Sequence, residues 1–143
     1  MANKKKMSLV ITGVQRMDGQ EETNEISVMA DYFKKEGKHF LFYSEYTEGG
    51  KVINNRMTIG PELVELKKSG NGNSHLQFQE RESLNCIYQT AVGPMELVSD
   101  THELKVSELD DGIRLELYYT LYMGAAAMSE YHLTVKGHWI EEE

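Results

Sequence analysis

The sequence predicts an all-β fold: an antiparallel up-and-down closed β-barrel of about eight to ten strands. Three observations carry that expectation. Short segments alternate apolar and polar residues with a period of two. Turn residues punctuate them at Asp18-Gly19, Glu36-Gly37, Gly49-Gly50, Gly60-Pro61, Gly93-Pro94 and Asp111-Gly112. No segment has an amphipathic helical period. An open flat sheet of this many strands would leave aggregation-prone edges, so closure into a barrel is the economical solution, with a sandwich as the alternative.

Residues 7–16 form the first predicted strand, with Met7, Leu9 and Ile11 on one parity and Val10 and Val14 on the other. Residues 20–24 read as a polar approach to a second strand, in which Ile26, Val28, Ala30 and Tyr32 alternate with Ser27, Met29, Asp31 and Phe33. Residues 38–47 are aromatic on both parities, with Phe40, Phe42 and Tyr46 on one and Tyr43 beside Leu41 and Glu45 on the other; both faces are expected to be covered. Residues 51–59 and 62–68 follow as strands, the second carrying Leu63, Val64 and Leu66. Residues 69–73 form a flexible loop, and 74–79 a strand with Leu76 and Phe78 on one side and His75, Gln77 and Gln79 on the other. Strands at 83–92, 94–100, 102–109 and 113–123 come next; Met123 to Met128 is a hairpin loop or one helical turn, and 129–140 closes the series.

The 143 residues suit a single domain, with residues 1–6 a flexible basic tip and 141–143 an acidic tail. A net charge of −8 disfavours nucleic acid and anionic membrane as partners, because both reward clustered Lys and Arg. The Lys4-Lys5-Lys6 cluster before an apolar run lacks a small-residue cleavage site, so it is read as a strand entry and the protein as cytoplasmic. No run approaches the ~20 residues of a membrane span. The lone Cys86 excludes an intramolecular disulfide and reads as a small buried hydrophobe.

Neither a metal nor a cofactor is expected. The histidines at 39, 75, 102, 132 and 138 show no zinc-site spacing, and His132 and His138 share a strand face but stand ~20 Å apart along it. No nucleophile elbow is present, and Gly70-Asn71-Gly72-Asn73-Ser74 lacks the Lys and following helix of a phosphate loop, so it reads as a hairpin loop.

Gly37-Lys38, Leu41-Phe42-Tyr43-Ser44-Glu45, Lys68-Ser69-Gly70, Phe78, Tyr88-Gln89-Thr90, Gly93, Thr101, Leu104, Asp111-Gly112-Ile113 and Tyr119 occur in an order and spacing that resemble the YwiB-like family of uncharacterised bacterial proteins. The resemblance runs over roughly residues 8–137 and implies a calycin- or lipocalin-like barrel with no assigned function. Where that family often has arginine before the Ser-Gly turn, this chain has Lys68, which cannot reproduce bidentate recognition.

Function is read as follows. Tyr43, Glu45, Tyr88, Thr90 and Tyr119 are candidate ligand-binding residues, because tyrosines and a few polar groups on one strand parity suit a small, largely apolar ligand in the mouth or lumen of a barrel. The competing reading is an interior filled by these side chains. A second function is interaction: Tyr118 and Tyr122, on a face with Arg114, Glu116 and Thr120, offer a surface for a homodimer or a docking partner. Enzyme is the third reading, with Glu45 as a base if burial raises its pKa, but no partner for it is evident. The parity also predicts a hairpin that sets Met95 and Leu97 opposite Cys86, Tyr88 and Thr90, with Tyr88 largely buried and its hydroxyl bonded.

Overall fold

A computed structural model of the chain describes residues 5–70 and 72–140. Asn71, the first residues of the basic tip and the acidic tail 141–143 lie outside the described residues. Ten antiparallel strands follow one another: β1 (Lys5–Met17), β2 (Gln20–Lys35), β3 (Lys38–Tyr46), β4 (Val52–Ile59), β5 (Leu63–Ser69), β6 (Ser74–Gln79), β7 (Ser83–Thr90), β8 (Gly93–Leu109), β9 (Gly112–Met123) and β10 (Ala126–Trp139). Each pairs with its neighbour in sequence, and β1 pairs with β10 to close the barrel. The antiparallel barrel expected from the turn spacing is therefore the fold, with no helix among the described residues.

The hairpins form where the sequence allows positive φ. Asp18-Gly19 and Glu36-Gly37 each place two consecutive residues there (φ 51° and 76°; 53° and 79°), the requirement of a tight turn whose twist matches the flanking strands. Several boundaries differ from expectation. Residues 20–24 belong to β2, which pairs with β1 from Gln20 onward but with β3 only from Asp31. The turn before β8 falls on Ala91-Val92, and Gly93 and Pro94 already pair with Thr90 and Gln89. The strands expected at 94–100 and 102–109 are one strand, because Thr101 and His102 bulge within the ladder instead of ending it. Of the two options at Met123 to Met128, the hairpin loop is the one formed, a turn at Gly124-Ala125 with a bulge between Ala127 and Ser129.

One parity of every strand points inward. Met7, Leu9, Leu41, Met57, Ile59, Val64, Phe78, Ile113, Leu115, Leu117 and Val135 are among the most deeply buried, and the core is one contiguous apolar cluster. The interior is thus occupied by side chains. At one end of the barrel lie the turns 18–19, 47–51, 72–73, 91–92 and 124–125, and at the other 36–37, 60–62, 80–82 and 110–111.

The wall is not uniform. β6 and β7 share a single backbone pair, His75 with Ile87. Side chains hold the rest of that seam: Gln77 N donates to Cys86 Sγ (3.4 Å), Gln77 Nε2 to Asn85 O (2.9 Å) and Gln89 N to Ser74 Oγ (2.9 Å), while Ser99 Oγ reaches across from β8 to Gln77 O (2.5 Å). Cys86 is buried and free, as its position among strand hydrophobes suggests.

Candidate functional site

The five candidate residues lie toward the end that carries the 91–92 turn, but in separate groups. Tyr43 is buried next to Glu45, and burial first, then the Glu45 carboxylate, pushes its hydroxyl well above the usual tyrosine range. Glu45 Oε2 accepts from Asn55 Nδ2 at 2.9 Å and Lys68 Nζ at 3.1 Å. Asn55 is only 3% exposed, and its Oδ1 has no hydrogen-bond partner among the described residues. A polar corner of Glu45, Asn55 and Lys68 therefore sits at this rim with an acceptor to spare.

Tyr119 belongs to another group. Its ring lies 4.4 Å from Phe78 and stacks on Tyr131 at 5.0 Å. Burial pushes its hydroxyl far above the ordinary range, with Tyr131, Tyr88 and Cys86 adding to the shift. Tyr88 is thus the neighbour of Tyr119 on the inward parity. The predicted register holds, with Cys86 opposite Leu97 and Tyr88 opposite Met95. The predicted burial of Tyr88 does not: it is 39% exposed, and no hydrogen bond of its hydroxyl is found among the described residues. Cys86, two residues deeper, is 1% exposed, so the parity is right and the strand simply runs out of barrel before Tyr88. Thr90 serves the turn, its Oγ1 donating to Gly93 O at 2.6 Å and accepting from Val92 N at 3.2 Å.

The outer wall between β3 and β7 holds a concavity of about 570 Å³, of the size small-molecule sites have. Strand pairing alone builds its floor, because Phe42, Arg56, Lys67, His75 and Ile87 are successive cross-strand partners on one line around the barrel. Asn54, Ser69 and Asn73 border it, and it reaches Asn55 and Lys68 at the polar corner. His75 Nε2 is held by Glu65 Oε2 at 2.8 Å. The expectation that β3 is covered on both faces fails here: Phe40 and Phe42 stack on Phe33 but stay half-buried on the outer wall.

Two further groupings escape the sequence pattern. At the end opposite the polar corner, Tyr32 Oη and His39 Nδ1 are 2.7 Å apart, His39 Nε2 lies 3.0 Å from Glu108 Oε1, and Lys34 Nζ lies 2.9 Å from the same oxygen. Burial lowers the His39 pKa against the opposing pull of Glu108, which keeps the ring neutral, accepting from Tyr32 and donating to Glu108. On the outer wall, Tyr118 stacks on His132 at 4.0 Å, and His102 Nε2 lies 2.8 Å from Thr120 Oγ1, burying a threonine that sits on the outer parity. The signals missing from the sequence are the cross-strand pairings, which join residues far apart in the chain. No group of three or more His, Cys, Asp or Glu side chains among the described residues is placed to hold a metal ion. No helix among them is long and apolar enough to cross a membrane.

These features define a closed ten-stranded antiparallel barrel with surface concavities. Residues 9–135 match the family described as a domain of unknown function, DUF1934, and the chain belongs to that family. Among solved structures it is similar to the YwiB protein of Bacillus subtilis, at 20% identity and a TM-score of 0.80, over 95% of this chain and 94% of that one. The likeness shows the barrel fold and carries no function with it. No curated protein matches.

Proposed function

We propose that this protein is a non-catalytic, cytoplasmic binding module that takes a small ligand with a largely apolar body at the mouth end of the β3–β7 wall. The side-chain-filled interior argues against a ligand in the lumen. The observation that carries the reading is the concavity of about 570 Å³, in which Phe42 and Ile87 supply apolar surface and Asn55 offers a buried acceptor with no partner among the described residues. A ligand hydroxyl or amide donor would relieve that acceptor, whose isolation costs on the order of 1–3 kcal/mol. Of the candidate residues, Glu45 acts through Asn55 and Lys68, Tyr43 backs Glu45, and Tyr88 and Tyr119 form the aromatic group toward the same end.

Protein-observed NMR with a panel of small amphipathic molecules tests this. Shifts concentrated at the Phe42, Asn55 and Ile87 amides, and lost in Phe42→Ala, support it; a panel that leaves those amides unmoved overturns it.

A second reading, association through the outer tyrosine face, rests on the exposed Tyr118–His132 stack and the concavity of about 400 Å³ beside it. Light scattering at twice the monomer mass, reverting in the Tyr118→Ser, Tyr122→Ser variant, supports a homodimer; a monomer at all concentrations removes it.

A further inference from the structure

We propose that the ligand of the β3–β7 concavity is a phosphate monoester, its dianionic head seated between Arg56 and Lys67; this rests on the reading of that concavity as the ligand site. Arg56 and Lys67 are direct partners across β4 and β5. Cross-strand partners carry their Cβ atoms about 4.5–5.5 Å apart, and like charges there destabilise a sheet. Several exposed bases elsewhere on this barrel are matched, Lys6 with Asp31, Arg16 with Glu21, Lys34 with Glu108, Lys105 with Glu103 and Arg114 with Glu116, although Lys35 faces Lys38 and Arg114 faces Lys136 across strands in the same way. Neither Arg56 nor Lys67 has a carboxylate within 4.0 Å among the described residues.

The lining as a whole points the same way. Acidic residues outnumber basic ones 23 to 15 in the chain, yet no Asp or Glu lines the concavity. The carboxylates next to the pair are engaged elsewhere, Glu45 by Lys68 and Glu65 by His75. Arg56 and Lys67 are thus two cations without a carboxylate of their own, and a phosphate monoester dianion offers them two charges where a single carboxylate offers one. Arg56 supplies a planar fork suited to phosphate oxygens and Lys67 a mobile point charge. Asn54, Asn73 and Ser69 border the seat with further donors. Phe42 flanks Arg56 on one side, and Ile87 ends the row beyond His75. At roughly 4.8 Å per strand the row from Phe42 to Ile87 spans about 19 Å, room for a small apolar body beside the phosphate but not for a polymer tracking along the wall. The net charge of −8 opposes nucleic acid in any case.

The test titrates the protein, and the Arg56→Gln, Lys67→Gln double variant, with phenyl phosphate, benzoate, benzyl alcohol and inorganic phosphate, following amide shifts by NMR. Both residues are exposed, and removing facing charges leaves the barrel folded, which the variant's spectrum checks directly. The proposal expects phenyl phosphate to bind most tightly, to move the Arg56 and Lys67 amides, and to weaken by roughly tenfold or more in the variant. Benzoate or benzyl alcohol binding at Phe42 and Ile87 as tightly as phenyl phosphate, with no loss in the variant, overturns the phosphate seat and leaves the concavity as a ligand site. If no probe moves any lining amide, both readings fall.

Discussion

Lys34 Nζ stands 2.9 Å from Glu108 Oε1 across one end of the barrel, although the two residues are 74 positions apart in the chain. The same oxygen also meets His39, and the Glu108 pKa is lowered first by Lys34 and then by His39. Behind this closure His39 is buried with its pKa lowered by desolvation. The unfolded chain then takes up a proton at higher pH than the folded one, so stability is full above the unfolded histidine pKa of about 6.5 and falls as the pH drops below it. His39→Gln should flatten that decline. Urea midpoints of both proteins between about pH 7.5 and pH 5.5 check this, and parallel curves would refute it.

The alkaline side belongs to tyrosine. Tyr43 and Tyr119 have hydroxyls raised by burial, so the folded state keeps protons that the unfolded state gives up above about pH 10. Their contribution is complete below that pH and is lost as the pH climbs. Tyr43→Phe and Tyr119→Phe should each retain more of their neutral-pH stability at pH 11 than the parent does, as followed by thermal unfolding.

Gly112 has no room for a side chain. A Cβ there would sit 1.7 Å from Gly137 O and 2.7 Å from Gly137 C, backbone atoms of the paired strand β10 that no rotamer can move. Gly112→Ala should cost about 3 kcal/mol or more, at the upper end of overpacking effects, whereas Gly19→Ala in an open turn meets nothing and should cost less, from its positive φ alone. Chemical denaturation of the two variants separates the causes.

Cys86 reports on the wall. Buried at the seam and accepting from Gln77 N, it should react with a disulfide reagent at a rate set by opening of the β6–β7 junction, not by its own exposure. Ser74→Ala removes a hydroxyl that bridges that junction and Ser99→Ala one that ties β6 to β8 beside it; each should speed labelling severalfold, with a smaller change in the global unfolding midpoint. Equal changes in both measurements would mean that the seam opens only with the whole barrel.

Much of the architecture is legible along the chain because antiparallel hairpins are local. The alternation of Ile26, Val28, Ala30 and Tyr32 gives a face directly, and the pairing of Cys86 with Leu97 follows from a nearby turn. Parity fixes direction but not depth, which is why Tyr88 faces inward and still reaches solvent at the strand end. Thr120 shows the reverse: on the outward parity, it is buried because the β8 bulge brings His102 over it. The candidate site divides along the same line. Glu45 stands out in the sequence as a polar residue among aromatics, but its meeting with Lys68 needs the registers of β3, β4 and β5 together. The row from Phe42 to Ile87 needs four registers, each set by its own turn, and no local pattern announces it.

The seam has a consequence for how the strand ring tolerates being re-cut. Ile140 N donates to Lys6 O at 3.1 Å, so the two described ends of the chain are neighbours and a short linker would join them. A circular permutant opened at Asp110-Asp111 would still close, because the long β8–β9 ladder from Val98–Tyr122 to Leu109–Gly112 holds without a covalent turn. One opened at Glu80 to Glu82 would leave β6 and β7 with their single backbone pair and a few side-chain bonds. There the peptide turn supplies the high effective concentration that a ladder supplies elsewhere, and without it the ring becomes a ten-strand ribbon with two sticky margins.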